Sequence, residues 1–407
     1  MSAVAGRMRL GQAADWLMVA VAVSLPWSTS ATAVLIVLWL LALLPTLARD
    51  DIRIGRDLPT AAALLPVLLV LLGVLGMLWA DVSWPERIKG VDSFAKLLAI
   101  PLLLMQFRRS KRGGAVLAGY LVSCTVLLVV SMVVLAVPPL GKTFLHEDFV
   151  IVKNAPTQSG EFVTCIAGLL VLGVAAIERQ HWWRLAGIAA VALGMLASIV
   201  FVATGRTALV VLLVLIVVFG ARQLSRRGMA VLLAGLVAVI GIGWFSSSYL
   251  RERVGAVLQE IQLYESSDIA TSSGERIEFT KKSLRFIGEA PVIGHGTGTI
   301  SNLFAQSTVG KTSAAGKRTT NPHNQTFAVA IQLGLIGAAV LWAMWMAHLV
   351  LFRGAGLAEW IGTVIVVQNI VGSLANSHLF DFTQGWVYMI GVGVAGGMAL
   401  KRREPSA

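Results

Sequence analysis

Apolar residues run in blocks along almost the whole chain, each block closed by a few polar or basic positions. The blocks lie at about 13–25, 31–48, 59–79, 86–107, 115–136, 160–177, 185–203, 207–221, 229–245, 325–350, 360–376 and 385–400. Most approach the roughly 20 residues with which an α-helix crosses a hydrocarbon core. A chain in lipid must satisfy its backbone groups internally, which a helix does by itself. The pattern therefore predicts an all-α integral membrane protein of about twelve transmembrane helices. Nine fall in residues 1–245 and three, with a basic tail, in 325–407. No cleavable leader is expected, because the first block runs through Pro26 directly into the second.

One polar insertion, 246–324, interrupts this pattern and is too long for a passive connection. Within it Leu250, Val254, Val257, Ile261 and Tyr264 recur at spacings of four and three, one stripe of an amphipathic helix. After a polar linker, Ser272 and Glu275 have the spacing of a capping box and predict a second helix ending before Pro291. Residues 291–298 read as a turn, and Lys311 to Asn321 as a mobile polar stretch. A simple surface cap is the alternative, but the capped helices point to an organised insertion.

Composition agrees with the block pattern: 57% of residues are apolar and 13% charged, about half the charged share of a soluble domain, with mean hydropathy +0.79. The distribution of positive charge orients the chain. With a cytoplasmic N-terminus, one side holds Arg7 and Arg9, Arg49, Arg53 and Arg56, Arg108 to Arg112, Arg179 and Arg184, Arg222 to Arg227, Arg353 and Lys401 to Arg403. The opposite short loops hold only Arg87, Lys89, Lys96, Lys142, Lys153 and Arg206. Both termini are thus expected inside and the long insertion outside. The net charge of +12 follows from this bias and from contact with anionic headgroups, so no nucleic-acid partner is implied. Cys124 and Cys165 both fall in apolar blocks, which supports neither a disulfide framework nor a cysteine metal site.

Candidate chemistry collects on the outer side. In Asn321-Pro322-His323-Asn324, Asn321 suits an N-cap and Pro322 the first helical position. His323 would then sit at the positive end of a helix dipole, which favours a neutral ring able to accept a proton. An interfacial histidine fits the position equally well. Thr204-Gly205-Arg206-Thr207 is the entire connection between two blocks, so Arg206 is held at membrane depth on a tight turn, where charge is costly and points to function; snorkelling to the headgroups is the alternative. Arg276, early in a predicted helix, opposes the dipole unless it binds an anion; a surface ion pair is the alternative. Lys89, Asp92 and Lys96 share one helix face, and Asn376, Ser377, His378 and Asp381 cluster at an outer turn. Gly294-His295-Gly296-Thr297-Gly298 lacks the preceding strand and the Gly-Lys-Ser/Thr ending of a phosphate loop. Asp50-Asp51 reads as solvated charge. Histidines 146, 295, 323 and 378 are too scattered for metal-ligand spacing, and no Ser-His-Asp set can be drawn.

Together, Ser273-Gly274-Glu275-Arg276, Pro291 to Gly296, Asn321-Pro322-His323-Asn324, Leu333 to Gly337 and Thr204-Gly205-Arg206 resemble the motifs of the O-antigen ligase/polymerase superfamily. The resemblance implies a metal-independent glycosyltransferase of the membrane-embedded C type, without a cofactor, in the bacterial inner membrane with its site facing the periplasm. The donor would be O-antigen on undecaprenyl pyrophosphate. In the ligase (WaaL-type) branch the acceptor is a sugar hydroxyl of lipid A–core. His323 takes the place of the family's catalytic histidine, Arg206 and Arg276 those of its pyrophosphate-binding arginines. Lys89 and Arg87 are expected to help bind the donor, and Asn321, Asn324 and His378 to support the site. A polymerase or another lipid-linked oligosaccharide transferase is the alternative within the superfamily. A transporter is the alternative outside it, and would place its charges near the bilayer midplane.

Overall fold

The computed structural model describes residues 2–47, 60–137, 139–140, 143, 150–203, 205–246, 248–267 and 271–403. The cluster Arg49, Asp50, Asp51, Arg53 and Arg56, together with Lys142, His146 and Thr204, lies outside them. All regular structure among the described residues is helical: α1 (Ser2–Ser24), α2 (Thr29–Leu43), α3 (Thr60–Leu75), α4 (Trp84–Ala95), α5 (Ala99–Arg109), α6 (Gly113–Ala136), α7 (Ala155–Glu178), α8 (Trp182–Phe201), α9 (Arg206–Gln223), α10 (Arg226–Ser246), α11 (Ser248–Ser267), α12 (Ser272–Glu289), α13 (Ile300–Ser307), α14 (Gln325–Leu351), α15 (Leu357–Gly372) and α16 (Phe382–Arg403). Six of them, α2 (with the short 3₁₀ turn after it), α6, α7, α8, α9 and α14, are long and apolar enough to cross a membrane, as a multi-pass protein requires. The block expected as one helix over 86–107 is split into α4 and α5 by a 3₁₀ turn at Lys96–Leu98. There Lys96 turns inward and its Nζ donates to Asp381 O at 2.7 Å.

The two ends of the bundle differ. At one end α14 leaves its last carbonyls without helical partners, as every helix must. Arginines supply donors there and just beyond: Arg403 to Leu351 O (2.9 Å), and Arg222 to O of the C-cap Phe352 (2.6 Å) and of Gly354 (3.2 Å) in the following loop. Arg402 binds Glu359, Lys401 donates to Arg109 O, and Arg112 pairs with Asp15 at 3.7 Å. Much of the basic charge counted on one side is therefore tied into helix ends and loops at this end. The opposite end carries the start of α7, α9, α14 and α16 and the finish of α15.

The insertion is anchored to that opposite end. Phe279 and Phe286 of α12 meet Phe304 of α13 edge-on at 5.8 and 5.3 Å, and the cluster continues into Ala328 and Ile331 of α14. A hydrophobic core shared with a transmembrane helix is more than a surface cap. The stretch expected to be mobile is also docked: Ala314 is fully buried, Lys282 Nζ donates to Ala315 O at 2.6 Å, and Lys317 pairs with Glu275 at 3.4 Å. Its polar composition hid this, because most of the docking is polar: an ammonium group and a carboxylate on α12 meet a carbonyl and a lysine of the stretch.

The turn at 291–298 explains the glycine-rich segment. α14 is broken at Gly334, whose φ of 64° and ψ of −165° belong to a region almost closed to other residues. The break frees backbone groups deep in the protein, and the turn satisfies them in both directions. His295 N and Gly296 N donate to Ile331 O and Gln332 O at 2.8 and 2.9 Å, while Leu335 N donates to Pro291 O at 2.8 Å. Gly298 N adds a bond to Gln332 Oε1 at 2.8 Å. The segment is thus a structural plug matched to a helix break.

Candidate active site

His323, Arg206 and Arg276, far apart in sequence, line one cavity of about 350 Å³ at the end of the bundle that carries the insertion. Pro156 and Gly160 of α7, Gln368 and Asn369 of α15, and Gln384 of α16 complete much of its wall. No aspartate or glutamate is among the described lining residues.

His323 does not lie inside the first turn of α14, as expected. Asn324 is the N-cap: its backbone is extended and its Oδ1 accepts from Phe327 N at 3.1 Å. Asn321 instead builds the loop before it, its Oδ1 accepting from His323 N and from Ser377 Oγ, both at 2.8 Å. Its Nδ2 donates to Asn376 Oδ1 at 2.6 Å. This local network holds His323 at φ +55°, an unusual backbone for a residue with a Cβ and one found where the surroundings impose it. The ring stacks on Phe279 with centroids 5.7 Å apart and planes 15° from parallel. Partial burial is the main cause that depresses its pKa below the ordinary 6.5, and the positive charge of Arg276 adds to this. The ring is therefore neutral at neutral pH, through burial and Arg276 rather than through a place in the helix.

The two arginines come from separate elements. Arg206 is the first residue of α9, after Gly205, which packs against Ser159 of α7; a Cβ at Gly205 would fall 2.9 Å from Ser159 Oγ. Arg276 is presented by α12. That helix is capped not by Ser272 with Glu275 but by Thr271, whose Oγ1 accepts from Gly274 N at 3.1 Å. Glu260 of α11 adds acceptors for Ser273 N (3.1 Å) and Ser273 Oγ (2.5 Å). These bonds, with the charges of Arg206 and Arg276, hold the Glu260 carboxyl below its usual range. Gly274 lets α11 approach, since a Cβ there would meet Tyr264 Cβ at 2.8 Å. Tyr264 accepts from Lys281 Nζ at 2.8 Å and hydrogen-bonds Glu278.

His378 also lines the cavity, lying against Gly372 with its Nδ1 3.6 Å from Asp381 Oδ2. Arg87 and Lys89 do not. Arg87 donates to Val82 O (2.9 Å) and Met77 O (2.8 Å) and lies 4.8 Å over the Trp84 ring, which ties down the loop before α4. Lys89 is exposed on a second groove with Asp92 and Lys96. Glu260 and the amides Gln368, Asn369 and Gln384 escaped sequence reasoning. Amides within an apolar helix such as α15 were the available signal, since polar groups in a span face the interior of a bundle. Glu260 carried none.

Chemically, the cavity combines two guanidinium groups suited to a phosphorylated ligand with a neutral imidazole. Among the described residues no group of three His, Cys, Asp or Glu is arranged to hold a metal ion. Residues 191–342, from the middle of α8 into α14, match a family model described as O-antigen ligase, and all three of His323, Arg206 and Arg276 fall within the match. No curated protein matches the chain.

Proposed function

We propose that this chain, which carries the O-antigen ligase family domain over residues 191–342, transfers O-antigen from undecaprenyl pyrophosphate to a sugar hydroxyl of lipid A–core. The reading locates the reaction at the periplasmic face of the bacterial inner membrane, with the insertion as a periplasmic loop and about twelve helices spanning the bilayer. The observation that carries it is the convergence of Arg206, Arg276 and a neutral His323 on one cavity at the end of the bundle away from the basic helix ends.

In the transfer, the acceptor hydroxyl attacks the anomeric carbon of the donor and yields its proton to His323. The bond from that carbon to the pyrophosphate oxygen breaks, and the leaving pyrophosphate keeps the electron pair. Arg206 and Arg276 balance the charge that develops on it, a role that fixed cationic donors fill without reorganising. Because no carboxylate is among the described residues lining the cavity, the reading favours direct displacement with inversion over a glycosyl-enzyme on an Asp or Glu. The leaving-group charge is met by arginines, so the reading assigns no role to a metal or cofactor.

The test is the lipopolysaccharide of a deletion strain. Loss of a ligase leaves bare core and stranded lipid-linked polymer, whereas loss of a polymerase leaves one repeat unit on the core. In complemented strains His323→Ala, Arg206→Ala and Arg276→Ala should each lower transfer by about 10²-fold or more, the range for removing one group that stabilises developing charge. Normal O-antigen ladders in all three, with protein present in the membrane, would sink the reading.

A further inference from the structure

A second groove, of about 690 Å³, lies among α2, α4, α5 and the start of α16. Its wall is apolar and aromatic, including Trp39, Leu102, Phe382 and Trp386. Its polar edge carries Lys89, Asp92 and Lys96, at positions i, i+3 and i+7 along one face of α4 and the turn that follows it. Two ammonium groups thus stand against one carboxylate. Lys96 is committed to Asp381 O, but Lys89 is exposed and has no ion pair within 4 Å among the described residues. An apolar wall with a basic edge is complementary to a lipid whose headgroup is anionic.

The groove is joined to the candidate active site by a single turn, residues 373–382. On one side Ala375, Asn376 and His378 line the His323 cavity, and on the other Phe380 and Phe382 line the groove. Hydrogen bonds run through it without a gap: Lys96 to Asp381 O, Asn376 Nδ2 to Asp381 Oδ2 at 3.0 Å, Asn321 Nδ2 to Asn376 Oδ1, and Asn321 Oδ1 from His323 N. The wall of the groove and the loop that carries His323 are therefore linked through one hydrogen-bonded turn.

A reaction between two lipid-borne partners needs two berths, and the pair of cavity arginines occupies the one fitted for pyrophosphate. We propose that the second groove seats the acceptor, a phosphorylated, multiply acylated glycolipid. Its acyl chains lie against the aromatic wall, its anionic headgroup meets Lys89, and its sugar reaches over the 373–382 turn to His323. This assignment rests on the proposed transferase reading and moves Lys89 from the donor to the acceptor.

The experiment is in-cell photo-crosslinking of the full-length protein, with p-benzoylphenylalanine in place of Leu102 and mass spectrometry of the captured lipid. Lipid A–core is expected as the adduct, and Lys89→Glu should reduce its yield by roughly fivefold to tenfold, because an attraction at an exposed site becomes a repulsion. Lys89→Arg should restore it. Capture of bulk phospholipid alone, or of the polyprenyl-linked glycan, would overturn the proposal, as would a yield that Lys89→Glu leaves unchanged. The two readings fail separately. Normal lipopolysaccharide in the deletion strain removes the transferase reading, whereas loss of O-antigen there, with only phospholipid captured at position 102, removes the acceptor groove alone.

Discussion

Replacing Gly334 by alanine tests whether the break in α14 and the 291–298 turn form one unit. A Cβ at this position would sit 2.1 Å from Val292 O and 2.5 Å from Ile293 N, both backbone atoms that cannot rotate away. The φ and ψ of 64° and −165° add a conformational cost of order 1–3 kcal/mol for any residue but glycine. If the turn withdraws, its bonds to Ile331 O, Gln332 O and Leu335 N are lost together, and even one buried group left unpaired costs about 1–3 kcal/mol. The total is about 2–6 kcal/mol. Gly310 supplies the control: its φ is +71°, yet a Cβ there meets nothing within 4 Å, so Gly310→Ala carries only the backbone cost of about 1–2 kcal/mol. Detergent-solubilised variants would be heated and the remaining monodisperse protein measured, with limited proteolysis of the 291–324 segment in parallel. Gly334→Ala should lose at least about twice the thermal resistance lost by Gly310→Ala, and its segment should become cleavable. Equal losses in the two variants, or an unchanged cleavage pattern, would refute the coupling.

Three other outcomes follow from the same structure. His323 must be unprotonated to accept a proton, and its pKa lies below 6.5, so transfer should fall only on the acid side of the ordinary histidine range. Arg276→Gln removes one of the charges holding that pKa down and should move the acid limb of the pH–rate profile to higher pH; an unmoved limb would argue against electrostatic contact between the two. Lys153 and Glu161 form a buried pair at 3.4 Å, their side chains 11% and 1% exposed. Lys153→Met should destabilise by about 3–5 kcal/mol through the abandoned carboxylate, while the double variant Lys153→Met/Glu161→Gln should recover much of this in a double-mutant cycle of thermal denaturation. Gly274→Val should separate α11 from α12, because its Cβ would overlap Tyr264. The expected signs are protease sensitivity around 265–275 and loss of transfer at normal membrane levels of the protein.

How legible the site was differs residue by residue. Arg206, Arg276 and His323 were each visible in the sequence because each is a charged or polar group in a place that makes it costly or unusual. Their meeting was implied only by the family resemblance and not by any spacing, since it depends on α12 packing through Phe279 and Phe286 against Phe304 and α14. The neutral state of His323 was expected for one reason and arises from another. A dipole argument depends on the helix start to within one residue, and Asn324, with the same capping chemistry as Asn321, takes the cap. Arg87 and Lys89, two positions apart on α4, part company because residues at that spacing point about 200° apart, on nearly opposite sides of a helix: one binds loop carbonyls and the other faces a groove.

The gathering of the candidate residues at one end of the bundle shows the same division. From the sequence alone came the helical class, the blocks of apolar residues, the charge asymmetry between their ends and the isolation of one long polar insertion. These are local or additive quantities, set by hydropathy and by the backbone's need for internal hydrogen bonds. Only the tertiary structure decided that the insertion shares its core with α14, that the glycine turn fills a break at Gly334, and that one turn divides two cavities. Those depend on which surfaces meet across tens or hundreds of residues, and no period or composition along the chain encodes the distance between them.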